Sequence, residues 1–399
     1  MDFTPTEEQE AARELAGRIF GDLSGHERLS AAGTGTDAEL WKALCAAGLP
    51  GSVEETGLLG LVLLLEEQGR TTAQVPFAAS CVYGILAIAR HGTEEQRGRF
   101  LPGLRDGTTV VTGALPAPGT VTARDGRLSG TVEWVPWLRD ATHVLVPDQD
   151  RALWLVRTED VTRVEAVELT APWSAGRLVL AGTPAERLGD PGPAAGPGPD
   201  EDPGRNEGPG RNEGPGRNEG PGRNEGPRRK AGPGPDAAYA PDAGPAPDAA
   251  YAQVLTAARI AFAGLQAGVC AGSLARAVEY TAVREQFGRP LATHQAVQLR
   301  AADAHMDTEA IRVTAYEAAW RFDEGLDATG AALTAAWWAS EAGKRVVHAG
   351  QHLHGGMGAD LDHPVHRHFL WGRQLDAYLG CGTELLAELG DLLAKGDPS

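Results

Sequence analysis

The chain has 399 residues and a formal net charge of -18, with 42% hydrophobic residues. That length supports a large core divided into two or three domains. The charge argues against a nucleic-acid or anionic-membrane surface, although local arginines still decide whether an anionic ligand binds. No apolar run reads as long enough to span a bilayer. The acidic start, Met1-Asp2-Phe3-Thr4-Pro5-Thr6-Glu7-Glu8, has no signal-type apolar stretch, so a cytoplasmic location is expected. Cys45, Cys81, Cys270 and Cys381 are scattered without metal-type spacing, as expected of thiols in a reducing compartment.

Residues 1–107 carry helix-period patterns. Thr4-Pro5-Thr6-Glu7 reads as a helix cap, with Phe3 ahead of it and an Ala/Leu stripe after it. Residues 108–190 change character. Thr131–Val135, Thr142–Val146, Ala152–Val156 and Arg177–Leu180 are short β-prone runs punctuated by Gly, Pro and Asp, which predicts a small antiparallel barrel or sandwich. Residues 191–250 hold Gly-Pro-Gly-Arg-Asn-Glu repeats at 208–213, 214–219 and 220–225. With almost nothing there to bury, the ordering entropy has no offset, and a disordered linker is expected. Its Arg and Glu alternate and nearly cancel. Residues 251–399 return to helical periodicity.

Two segments of this last region carry candidate chemistry. The first is Arg284-Glu285-Gln286-Phe287-Gly288-Arg289-Pro290, followed by Gln295. If a helix resumes after Gly-Arg-Pro, Arg284, Phe287 and Gln295 share one flank. An arginine fork suits a diphosphate, and a phenylalanine suits a flat ring system. The alternative is an ordinary helix break with a surface arginine. The second segment is Gln351-His352-Leu353-His354-Gly355-Gly356-Met357-Gly358, with His363-Pro364-Val365-His366-Arg367 after it. Paired glycines admit a ligand where side chains would block it. His348, His352, His354, His363, His366 and His368 flank them, but no accompanying carboxylate or cysteine has ligand spacing, so no metal site is expected.

Together these segments resemble the acyl-CoA dehydrogenase family, whose C-terminal helical domain carries R-x-Q-F-G with a later Gln, and Q-x-x-G-G-x-G. The N-terminal stretches Leu40-Trp41-Lys42-Ala43-Leu44, Leu65-Glu66-Glu67-Gln68-Gly69-Arg70 and His91-Gly92-Thr93-Glu94-Glu95-Gln96 extend the likeness. It implies a mostly helical α+β fold: a helical N-terminal domain, a small β-domain and a C-terminal four-helix bundle. It implies FAD as cofactor, an acyl-CoA or acyl-carrier thioester as substrate, and a homo- or hetero-oligomer with a related dehydrogenase subunit. By the same likeness, Arg284 would face the FAD pyrophosphate and Phe287 would pack on the cofactor. Gln295 would sit near the adenosine end, and Gln351, Gly355 and Gly356 would line the groove. Trp134 would approach the flavin ring.

The chain departs from the family at the base that removes the α-proton. Without gaps, the Glu of the Y-E-G motif falls on Leu379, and the second family location falls on Ala258. Cys381 and Glu384 are the nearby substitutes, Cys381 being a poor match and Glu384 reading as a surface residue. The β-domain motif at Thr112–Thr120 has lost most of its donors, and Pro136 stands where a hydroxyl is common. Three readings follow: an active dehydrogenase with a diverged base, a non-catalytic half-site subunit working inside a heteromer, and a flavin-free structural protein. The intact C-terminal segments favour the first two, and the missing base favours the heteromer.

Overall fold

The computed structural model describes residues 3–116, 119–189 and 247–395. The Gly-Pro-Gly-Arg-Asn-Glu repeats lie outside them. The N-terminal part is helical: α1 (Glu7–Leu23), α2 (His26–Ala31), α3 (Ala38–Ala46), α4 (Leu49–Thr71), α5 (Phe77–Ala79), a π-helical stretch Ser80–Leu86, α6 (Ala87–His91) and α7 (Glu94–Asp106). Thr6 is the N-cap expected for α1. Its hydroxyl accepts from Gln9 N–H and the Gln9 amide oxygen accepts from Thr6 N–H, so two orphan donors are satisfied at once.

The β-domain comprises β1 (Val111–Gly113), β2 (Val121–Arg124), β3 (Arg127–Val135), β4 (His143–Pro147), β5 (Leu153–Arg157), β6 (Arg163–Ala166), β7 (Gly176–Pro184) and β8 (Glu186–Arg187). They form two sheets, ordered β1-β4-β5-β8 and β2-β3-β7-β6. Their inward-facing residues, Leu128, Val132, Leu178 and Leu180 from one sheet and Val144, Val146 and Val156 from the other, share one apolar cluster. The expectation of a purely antiparallel domain needs one correction, because β1 pairs with β4 in parallel. That pairing arises because the chain leaves α7 and enters β1 far from its sheet partner in sequence, with β2 and β3 intervening.

The C-terminal part contains α8 (Pro247–Val283), the two-residue strands β9 (Glu285–Gln286) and β10 (Arg289–Pro290), α9 (Gln295–Asp323), α10 (Thr329–Leu353), α11 (Val365–Leu375) and α12 (Gly382–Ala394). Helix α8 begins ahead of the expected boundary at 251. Its stretch Ala249–Val283 also has the length and hydropathy to cross a membrane, contrary to the reading of the apolar runs. The cause is its position at the centre of the protein, where 89% of its most apolar window is buried against other helices.

Helices α4 and α8 meet backbone to backbone. A Cβ on Gly69 would stand 2.3 Å from the Leu265 carbonyl oxygen, and one on Gly268 would stand 2.1 Å from that of Glu66. Only glycine permits this approach. Beside the crossing, fully buried Glu66 of α4 accepts from Arg312 Nε of α9 at 3.1 and 3.2 Å. Burial pushes the Glu66 carboxyl up, and the Arg312 guanidinium opposes that shift. Arg312 also pairs with Glu309.

Arg312→Ala leaves a buried carboxylate without its cation and is expected to cost about 3–5 kcal/mol. Replacing both partners by apolar residues, Glu66→Leu with Arg312→Met, should recover most of that loss. Denaturant unfolding of the two variants checks this; equal loss in both would mean that the charge pair is not the cause.

Candidate active site and cofactor clamp

The Arg284 segment does not form one continuous helical flank. Helix α8 stops at Val283, and β9 and β10 make a hairpin whose central residues, Phe287 (φ 57°) and Gly288 (φ 81°), both have positive φ. This is the backbone sense that suits a two-residue hairpin loop, and it is strained for phenylalanine. The turn therefore replaces the resumed helix, and Gln295 becomes the first residue of α9 rather than a third position on the same face. The result is a displayed aromatic: Phe287 is 92% exposed. Arg284 and Gln295 are also exposed. Among the described residues the Arg284 guanidinium makes no ion pair, while its backbone carbonyl accepts from Leu291 N–H at 2.8 Å and pins the hairpin.

The Gly-Gly segment follows α10 as a 3-10 turn, Gly355–Ala359. A Cβ on Gly355 or Gly356 would meet nothing within 4 Å, so the backbone lies open there. Gln351 is turned inward: its amide nitrogen donates to the Gly358 carbonyl at 3.1 Å and closes the loop. His354 is buried behind the glycines, its ring 4.9 Å from those of Tyr280 and His363, and its Nδ1 is 2.7 Å from the Gly350 carbonyl oxygen. Among the described residues no cluster of three His, Cys, Asp or Glu side chains stands ready for a metal.

Aromatic side chains pack around the expected base positions. Leu379 and Ala258 are both buried. Tyr83, in the π-helical stretch, and Tyr378 bring their hydroxyls to 2.9 Å in the interior. The Phe262 ring of α8 lies 4.6 Å from that of Tyr378. Trp134 closes the β-domain side, 5.6 Å from Tyr378, and Trp173 joins at 6.2 Å. Burial pushes both tyrosine hydroxyls well up, so they stay neutral. A gap of ≈ 20 Å³, about one water, lies beside Leu379.

The substitute bases have other tasks. Cys381 is the N-cap of α12, and Glu384 accepts from its N–H at 3.0 Å, closing the cap. Hydrogen bonds from Cys381 hold the exposed Glu384 carboxyl below its ordinary range, which makes it a weaker base. Arg259, next to Ala258, is committed to Glu388 through bonds of 2.8 and 2.6 Å. Pro136 offers no donor, and its carbonyl accepts from Thr112 Oγ1 at 2.6 Å. The aromatic plug itself escapes sequence reading, because Tyr83, Phe262 and Tyr378 come from three distant segments.

Comparison with known proteins fits these features. The family description "Acyl-CoA dehydrogenase, N-terminal domain" matches residues 6–108, and "Acyl-CoA dehydrogenase, C-terminal domain" matches residues 249–387. The chain belongs to the acyl-CoA dehydrogenase family. It is 31% identical to acyl-CoA dehydrogenase FadE27 of Mycobacterium tuberculosis, over 99% of both chains. Among solved structures it resembles a chain of a variant of the Tcur3481-Tcur3483 steroid ACAD, with TM-score 0.80 and 37% identity over 98% of this chain and 99% of that one. It also resembles a chain of the ChsE4-ChsE5 complex from Mycobacterium tuberculosis, with TM-score 0.80 and 29% identity over the full length of both. As a member of this family the chain is an FAD-dependent acyl-CoA dehydrogenase-type flavoprotein. The free guanidinium, the displayed ring and the open glycine backbone fit such a cofactor from one side.

One buried histidine gives the fold a pH dependence. His368 of α11 lies 3.0 Å through Nε2 from the Arg70 carbonyl oxygen, and burial pushes it down to about 4 against the pull of its carbonyl neighbours. Above pH 6.5 the folded and unfolded chains are both neutral at this site, and its full contribution is present. Between 6.5 and about 4 only the unfolded chain binds the proton, so stability falls as pH falls, by on the order of 3 kcal/mol. Urea unfolding from pH 7 to 4.5 should show the fall, and His368→Gln should reduce it, the remainder belonging to other histidines such as His91, which burial also pushes down to about 4; an unchanged slope in that variant would assign the effect elsewhere.

Proposed function

We propose that this chain is the base-less, cofactor-clamping subunit of a heteromeric acyl-CoA dehydrogenase. The observation that carries the reading is the contrast between a plugged interior and a displayed exterior. Tyr83, Phe262 and Tyr378 pack together in the interior, and buried Leu379 and Ala258 stand at the positions where the family likeness would put the carboxylate. Meanwhile Arg284, Phe287, Gly355 and Gly356 are exposed at the surface. Bound FAD supplies the two-electron acceptor in this chemistry. This chain's part is to place the Arg284 fork on the diphosphate, to cover the cofactor with Phe287, and to offer the Gly355-Gly356 backbone and Gln295 to the adenosine end. Gln351 holds the glycine loop in shape rather than touching the cofactor through its amide nitrogen. The related subunit supplies the carboxylate that takes the α-proton. A steroid-bearing acyl thioester is the favoured substrate class, by likeness to the Tcur3481-Tcur3483 complex.

Anaerobic mixing with acyl-CoAs tests the division of labour. The chain alone should bleach no flavin, and the complex with its related subunit should. Rapid bleaching by the chain alone would overturn the reading. Arg284→Ala should lower the FAD affinity of the complex about tenfold or more, since a charge-assisted hydrogen bond contributes about 1.5–3 kcal/mol. Unchanged FAD affinity would remove Arg284 from the clamp.

A further inference from the structure

A second cavity lies on the other side of the wall that carries the plug. In the π-helical stretch Tyr83 faces the plug, while Val82 and Leu86 face this cavity. In α8 it is Val254 and Ala257 that line it. Its volume is ≈ 380 Å³, within the range of small-molecule sites and far above the single-water gap beside Leu379. The floor is apolar, completed by Val53, Ala87 and Phe322.

The charged groups at the rim are unequally committed. Asp323 spends both oxygens on α4, accepting from Leu58 N–H at 2.8 Å and Leu59 N–H at 2.9 Å, where Gly57 (φ 72°) breaks the helix. Glu54 is held by Arg105 through bonds of 2.6 and 2.9 Å. Arg90 makes no ion pair among the described residues, and its guanidinium lies 4.5 Å from the centre of the Phe322 ring. Next to it, His91 Nδ1 is buried and has no hydrogen-bond partner. Burial pushes this imidazole down to about 4, so it stays neutral and polar rather than adding a second cation. The rim therefore presents a cation that has no ion pair among the described residues, though its charge also acts on the Asp323 carboxylate, over an apolar chamber.

We propose that this cavity binds a carboxylate with a medium-length aliphatic tail, its head group on Arg90 and its tail on Val82, Leu86, Val254 and Phe322. The site is separate from the cofactor clamp and does not require the partner subunit. The test uses the full chain alone, titrated with decanoate by isothermal calorimetry. Saturable binding of one decanoate per chain is expected, with decanol and decyltrimethylammonium at least about tenfold weaker because neither offers an anion to Arg90. Arg90→Gln should weaken decanoate about tenfold and leave decanol unchanged. Leu86→Trp should fill the chamber and abolish binding of both, while the far-UV spectrum and the melting temperature stay close to those of the parent chain. Ala89→Phe, a milder filling at the rim, should reduce binding if Leu86→Trp fails to fold. No saturable binding would overturn the proposal. So would decanoate binding that survives both filling variants, or a preference for the cationic probe. Binding of acyl-CoA by the assembled heteromer is a separate measurement, so the two readings fail independently.

Discussion

The close approach of α4 and α8 is the constraint on which the rest of the structure hangs. Two glycines, Gly69 and Gly268, let two backbones touch where any side chain would collide with a carbonyl oxygen. Glycine costs each helix up to about 1 kcal/mol in propensity. The offset is a long, dense contact between two long apolar helices, in which many small dispersion terms add. Because the contact is that tight, Glu66 is carried into the interior and has to be met there by Arg312. Because α8 is fixed on α4, Phe262 is fixed too, and the π-helical stretch can lay Tyr83 against it.

The buried aromatic cluster and the exposed hairpin differ in their energy balance. An open thioester pocket would leave Tyr378, Phe262 and the tryptophans without neighbours on one side, and each lost contact would weaken the core. Here rings and a shared hydroxyl hydrogen bond hold the interior together. On the outside the balance is reversed. Phe287 gives up burial altogether, in a backbone conformation that carries strain.

Local signals were legible in the sequence, and assembled ones were not. The capping box at Thr6, the β-runs and the Arg284 and Gly355 motifs depend on neighbours a few residues away, so spacing alone exposes them. Reading Leu379 and Ala258 as the positions of the family's base needed only a motif and a count. The hairpin at Phe287 was hidden, because Gln-Phe-Gly-Arg lacks the Asn-Gly or Asp-Gly signal of such turns. The parallel β1–β4 pair, the aromatic plug and the second task of Glu384 each require residues that only the tertiary fold brings together.

The hairpin has a consequence for the thermodynamics of assembly. Its tip is held by its own short strands and by the Leu291 N–H to Arg284 carbonyl bond, so the ring is in place before anything docks on it. A surface that seats on Phe287 meets a rigid knob, and no segment has to be ordered at the moment of contact. Docking of this kind shows a heat-capacity change set by the apolar area it covers, without the additional entropic cost of coupled folding.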